Sequence, residues 1–302
     1  MKILYKDLIR LLVEKPPIDE LSQKLFQLGH EHEIDNEIFD IEFTPNRGDC
    51  LSLNGLARDL NIFYKSSYSI ETYDKNIDEL NLDFQNLSPN DCPLISFLEI
   101  EIDNDIKDYK EYIKNYFKVL GNKKTNFFTD ISNFISYELG QPTHCYDRNK
   151  IGNELIFETK QCNSNFKTLI DTNILLKGTN SVFHFNDEIL SLAGVMGGKS
   201  SSCSSSTRKV LVECAFFNPE AIIGKALNYN LNSDAAYKFE RGIDISSQEK
   251  TLRRFIRVVE DHATIKSIKF KSFESKNPKS ITLPIDEGKI NKILGTKLSK
   301  DE

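Results

Sequence analysis

The chain has 302 residues, 39% of them hydrophobic and 28% charged, with 20 Phe and 11 Tyr; this predicts a soluble globular protein of about two domains and excludes wholesale disorder. No run of about 18 apolar residues occurs, and the start, MKILYKDLIRLL, lacks the apolar stretch and cleavage site of a signal peptide, so a cytoplasmic protein without a membrane segment is expected. A net charge of −6 argues against a surface that grips nucleic acid throughout, but leaves room for a local basic patch.

In chain order, Leu8, Leu11 and Leu12, then Leu21, Leu25 and Leu28, have helical spacing and predict two short helices. Ile38 to Phe43 reads as a strand, Thr44 to Asp49 as a turn rich in breakers, and Leu51 to Tyr64 as a helix. The polar stretch from Lys65 to Asp91 reads as a linker. Leu94 to Ile102 is a strand. Asp108 to Leu120 and Phe127 to Leu139 are helices, the second closed by Gly140 at the position that favours a left-handed residue. From Asn153 to Gly197 short apolar runs alternate with turn residues and predict several strands, followed by one more at Lys209 to Cys214. Asn218-Pro219-Glu220 is a helix start, with a helix expected to about Asn228. Ser233-Asp234 opens another helix. Ile245 to Glu260 is strongly amphipathic, with Leu252, Phe255, Ile256 and Val259 inward and Lys250, Arg253, Arg254 and Arg257 on the adjoining face. A polar linker precedes ITLPIDEGKINKILG, which predicts a strand and a helix.

The fold class is therefore α+β rather than a regular βαβ alternation. The expected divisions are a small N-terminal helix–strand domain (1–66), a linker (67–92), a central mixed α/β domain (93–272), a second linker (273–279) and the start of a further small domain (280–302). A strand and one helix cannot bury a core alone. The tail is expected either to pack on the main domain or to belong to a longer chain.

Four segments carry side chains suited to chemistry. Ala193 to Ser200, AGVMGGKS, is one letter from a phosphate-binding loop, but the serine run that follows is a poor helix start, and that loop must open directly into a helix. A tight glycine turn, or a pocket wall that lets a ligand approach the backbone, is the better reading. In GQPTHCYD, His144 follows a helix end on a segment stiffened by Pro142. It is a packing or capping residue, or a group that positions a water or an ester. Glu213 interrupts the apolar strand VLVECAF. Alternation turns it away from Val212 and Cys214, so with both sheet faces covered its carboxylate is either an edge ion pair or an acceptor for a ligand hydroxyl or amine. Ser233 sits beside the small Ala235 and Ala236 and suits either a pocket floor or close helix packing. The six cysteines form no CxxC pair and no zinc-finger spacing with the five histidines, so no metal site is expected. The basic face Lys250, Arg253, Arg254 and Arg257 is a solvated helix face or a track for RNA phosphates.

Taken together, FDIEFTPNRGDCLSLNGLARDL, ELGQPTHCYD, LAGVMGGKSS, TRKVLVECAFFNPEAI and LNSDAAYKFERGID resemble the beta subunits of bacterial phenylalanyl-tRNA synthetases, in order and spacing, over nearly all of 38–244. The resemblance implies that the central part is an editing domain that hydrolyses tRNA(Phe) mischarged with tyrosine, and that a domain of DNA-binding-like fold begins near 280. It implies catalytic roles for His144 and Ser233, the latter where the family usually has threonine. Glu213 matches the acceptor for the tyrosine hydroxyl, Gly197 the glycine that keeps the pocket open, and Ala235 a small lining residue. Lys123 falls where the family has an arginine, keeping the charge without bidentate geometry. The amides of 194–198 are candidate oxyanion donors, with the base supplied by the substrate's own hydroxyl or amine. The same resemblance implies an alpha-subunit partner in an α2β2 assembly and tRNA(Phe) as ligand. It implies no cofactor in this segment, with ATP and magnesium serving the complete ligase. The family's OB-type tRNA-binding insertion is absent before Phe39, and the sequence is read as a fragment of a longer beta subunit. A silent RNA-binding or assembly module, or a freestanding hydrolase, are the alternatives.

Overall fold

The computed structural model describes residues 1–64, 70–274 and 282–299. The N-terminal segment contains β1 (Lys2–Leu4), α1 (Tyr5–Ile9), α2 (Ile18–Gln27), β2 (Glu31–Asp35), β3 (Ile38–Glu42), a 3-10 turn at Gly48–Cys50 and α3 (Leu53–Tyr64). Next come the short strands β4 (Asp78–Glu79) and β5 (Asp83–Asn86), the long β6 (Leu94–Ile106), α4 (Glu111–Leu120) and α5 (Phe127–Leu139). The central strands are β7 (His144–Asp147), β8 (Glu154–Lys167), β9 (Asn173–Phe185), β10 (Glu188–Leu192), β11 (Met196–Gly197) and β12 (Lys209–Phe216). The short helices α6 (Pro219–Ile222), α7 (Lys225–Asn228) and α8 (Asp234–Glu240) lead to α9 (Gln248–Glu260), β13 (Ala263–Glu274) and α10 (Glu287–Leu294).

Among the described residues the strands form three sheets, ordered β1-β3-β2, β11-β10-β9-β8-β5 and β4-β13-β6-β12-β7. Helices and sheets are mixed without βαβ alternation, as the α+β reading expects. The last of these sheets has two buried faces, which explains the nearly unbroken apolar run of β12. On one face Val210, Val212 and Cys214 join α4, α5, α9 and the N-terminal elements in one core. On the other, Leu211 and Ala215 meet the β8–β10 sheet and α6 and α8 in a second core rich in Phe.

Local signals place the helices. Asn126 caps α5 by accepting from the Thr129 amide at 3.1 Å, and Gly140 ends it at φ +80°. Between 218 and 228 the expected single helix is two, divided at Gly224, whose φ is +77°. The expected linker 67–92 contributes strands: β4 runs parallel to β13, and β5 parallel to β8. At the other end, 273–274 complete β13, and the rest of the linker expected at 273–279 lies outside the described residues. Residues 282–286 form no strand, Asp286 caps α10, and no residue of α10 is buried.

Candidate functional site

The site lies where the two five-stranded sheets face each other. β7 and β12 are antiparallel neighbours in which His144 opposes Glu213 and Tyr146 opposes Leu211. The side chains of His144, Tyr146 and Glu213 therefore share the face turned toward β10 and β11. The loop that delivers His144 is pinned. The buried Gln141 side chain donates to Ala215 O at 3.0 Å and accepts from Ser247 Oγ at 3.0 Å. Ser132 Oγ donates to Thr143 O at 2.7 Å.

Glu213 is 5% exposed, and it is met by a neutral group: the Tyr146 hydroxyl donates to Oε2 at 2.7 Å and stands 2.9 Å from Ser191 Oγ. Burial pushes the Glu213 carboxyl up to about 8, only partly offset by the Tyr146 bond, and the same burial drives the Tyr146 phenol well above its ordinary value. The His144 ring lies edge-on to Tyr146, centroids 4.4 Å apart. Its Nε2 is sealed from solvent without a hydrogen-bond partner, and burial lowers its pKa to about 4, so the imidazole is neutral.

Gly197 closes the group from β11. A Cβ there would lie 2.3 Å from His144 Cε1 and 2.7 Å from Leu169 Cδ2, so any other residue fits only if the ring moves. Ser233 is the N-cap of α8: its Oγ accepts from the Ala236 amide at 3.2 Å and donates to Val195 O at 2.6 Å. It thus tethers the 194–198 turn, and Ala235 packs beside it against the second core. Lys123 is exposed in the loop between α4 and α5.

His144, Glu213 and Gly197 are thus brought together, Ser233 and Ala235 border them through the 194–198 turn, and Tyr146 is a member that the sequence reading passed over. Its signal was present, since a residue two positions after His144 on a strand shares its face. The expected oxyanion donors are partly spent: the Val195 amide donates to Leu192 O and the Gly198 amide to Leu190 O. The segment resembling a phosphate-binding loop is a turn, with Gly194 at φ +68° and no helix after it.

The basic face of α9, read as a solvated helix face or a track for RNA phosphates, is largely engaged within the protein. Arg254 is buried, with Nε 2.7 Å and Nη2 2.9 Å from the Glu138 carboxylate. Arg253 donates to Tyr73 O at 3.0 Å and Lys75 O at 3.1 Å, and Arg257 pairs with Asp261 at 3.1 Å and Glu71 at 3.6 Å. Residues 71–75 return over this face, leaving Lys250 as its exposed member.

Comparison with known proteins places this geometry. The model of the B3/4 domain family matches residues 92–264, more than half of the chain. The chain belongs to the B3/4 domain family. The matched B3/4 region carries β6 to β12 and every residue of the His144 group. Over 288 residues, 88% of its length, the chain is 30% identical to the phenylalanine–tRNA ligase beta subunit of Psychrobacter arcticus, covering 34% of that protein. With the same subunit of Neisseria gonorrhoeae the identity is 27% over 272 residues, 89% of this chain and 35% of the relative. The chain spans about a third of the length of these relatives. An N-terminal fragment of the phenylalanyl-tRNA synthetase beta subunit from Pyrococcus horikoshii aligns with a TM-score of 0.47 and 12% identity, over 100% of this chain and 86% of that one. Among the described residues no helix is long and apolar enough to cross a membrane.

Proposed function

We propose that this chain is the editing part of a phenylalanine–tRNA ligase beta subunit and hydrolyses the ester of tyrosine on tRNA(Phe). The observation that carries the reading is the Tyr146–Glu213 pair. A carboxyl group enclosed in an apolar layer is met by a phenol hydroxyl at 2.7 Å, which is the group that distinguishes tyrosine from phenylalanine. A site built around an acceptor for that hydroxyl rejects the residue lacking it, whereas a bare apolar pocket does not. In this arrangement Tyr146 occupies the acceptor and the His144 ring fills the space in front of Gly197. A substrate enters by displacing the Tyr146 hydroxyl and swinging His144 aside.

The neutral His144 holds the attacking water, or the terminal ribose hydroxyl, through the Nε2 that lacks a partner. The remaining amides of the 194–198 turn are the candidate donors to the ester oxygen, and Ser233 fixes that turn through Val195 O. The proton of the water passes to the substrate's own hydroxyl or amine, and the leaving group is the ribose hydroxyl of the tRNA. Lys123, exposed in the α4–α5 loop, contacts the RNA backbone. The alpha subunit, ATP and magnesium belong to the complete cytoplasmic ligase and act outside this segment.

The test is deacylation of Tyr-tRNA(Phe) against Phe-tRNA(Phe) by the chain and by Glu213→Gln. Selective hydrolysis of the tyrosyl ester, with selectivity lost in the variant, is expected. Equal hydrolysis by both proteins overturns the role of Glu213. The reading as a silent RNA-binding module is weakened by the pairing of Arg253, Arg254 and Arg257 within the protein.

A further inference from the structure

A second polar cluster lies in the N-terminal segment, away from the His144 group. His30 ends the turn after α2, where its amide donates to Leu25 O at 2.9 Å. Cys50 closes the 3-10 turn, and Asp59 lies on α3. His30 Nε2, Cys50 Sγ and an Asp59 carboxylate oxygen all lie within 4.8 Å of one another. Two of the separations are 3.4 Å: His30 Nε2 to Asp59 Oδ2, and Cys50 Sγ to the same oxygen. Bonds of about 2.0–2.3 Å from a tetrahedral zinc ion to nitrogen, sulfur and oxygen place neighbouring ligand atoms roughly 3.3–3.7 Å apart.

The histidine supplies an independent sign. It is 2% exposed, yet Nε2 is buried and lacks the alignment of a hydrogen bond with any group, Asp59 included. A buried ring nitrogen 3.4 Å from a carboxylate oxygen, without an aligned hydrogen bond to it, is the arrangement that a cation between them completes. The space in front of Cys50 and Asp59 holds a cation already. Arg47 Nη2 is 2.7 Å from Cys50 Sγ and in contact with Asp59 Oδ2. That side chain is 29% exposed and can leave toward solvent.

We propose that His30, Cys50 and Asp59 form a binding site for a divalent transition-metal ion of the zinc type, which replaces the Arg47 guanidinium. The mixed nitrogen, sulfur and oxygen donors suit zinc or cobalt and not magnesium or calcium. The thiol loses its proton to solvent as the metal–sulfur bond forms, so one proton appears per ion bound. Asp49 Oδ2, 3.7 Å from the sulfur, or a water supplies the fourth position. Arg58, 3.2 Å from Asp59 Oδ1, stays as the partner that orients the carboxylate. The ion ties the 44–50 turn to α3 and to the turn before β2, so its effect is on the stability of the N-terminal segment.

Titration of the full chain with Co2+ under reducing conditions tests this. A sulfur-to-cobalt charge-transfer band is expected in the near ultraviolet, with visible bands of tetrahedral intensity, saturating at one ion and bleached by Zn2+. Cys50→Ser abolishes the charge-transfer band, His30→Ala weakens binding by tenfold or more, and Arg47→Gln, which removes the competing cation, tightens it. Absence of the band at stoichiometric Co2+ overturns the proposal, as does an undiminished band in Cys50→Ser. Weaker or equal binding by Arg47→Gln overturns the exchange with the guanidinium.

Discussion

Two buried glutamates stand on opposite sides of the β4-β13-β6-β12-β7 sheet, and they are treated differently. Glu138, on the helical side, has both carboxylate oxygens met by the Arg254 guanidinium at 2.7 and 2.9 Å, with Arg10 3.5 Å away. Glu213, on the side facing the second sheet, is met by a phenol. The first is a joint: it fastens α5 to α9 and offsets its desolvation with an opposite charge. The second carries most of its desolvation uncompensated, which is why its pKa is raised to about 8. A carboxyl kept in that condition between two sheets is the mark of a group that serves a ligand rather than the fold.

The largest effect that sharpens the contrast is on the joint. Arg254→Met strands the Glu138 charge and should cost about 3–5 kcal/mol in urea unfolding, with much of the loss recovered when Glu138→Leu is added. A cost below about 1 kcal/mol for Arg254→Met would erase the distinction.

Next is the pH dependence of Glu213. Its folded pKa, about 8, lies above the ordinary 4.5. Between those values the native state holds a proton that the unfolded chain has released, so stability falls as pH rises across that window. Glu213→Gln cannot titrate. Relative to the variant, the wild type should lose on the order of 4 kcal/mol between pH 4.5 and 8. Parallel stability–pH curves for the two proteins would show that Glu213 is ionised throughout and therefore paired like Glu138.

How much of this contrast is legible in the sequence depends on what each signal encodes. α5 is readable to the residue because Asn126 and Gly140 mark its ends chemically. The alternation of β12 turns Glu213 away from Val212 and Cys214, as the structure has it. β2 escapes because EHEID buries His32 alone, and β4 and β5 because short strands in a polar stretch are held by backbone bonds that leave no mark on composition. The spacing of Arg253, Arg254 and Arg257 shows that they lie close on α9. It says nothing of what covers them, and 71–75 do. The Tyr146–Glu213 bond joins residues 67 positions apart and depends on the pairing of β7 with β12, which no local pattern states.

Gly197→Ala tests whether the site needs its close approach. A methyl there would meet His144 and Leu169 at 2.3 and 2.7 Å, so the ring must move. A destabilisation of about 1–3 kcal/mol is expected, with tyrosyl-ester hydrolysis falling by a larger factor than global stability explains. Full hydrolysis with unchanged stability would mean that His144 is free to rotate and that the packing against Gly197 has no bearing on the site.

The smallest expected effect is also the finest probe of the difference between the two carboxyls. Tyr146→Phe removes one oxygen and leaves the ring, so the Phe-rich core between the sheets keeps its volume. Glu213 then loses the partner that lowers its pKa, and the lost hydrogen bond should cost about 1–3 kcal/mol. On the proposed function the same change empties the acceptor. A tyrosyl substrate no longer displaces an internal phenol before its own hydroxyl is bound, so discrimination for the tyrosyl over the phenylalanyl ester should rise, by up to about tenfold or 1.4 kcal/mol. If discrimination instead collapses, Tyr146 holds Glu213 in the orientation that reads the substrate. The phenol would then play toward Glu213 the part that Arg254 plays toward Glu138, and the two carboxyls would differ only in the charge of their partners.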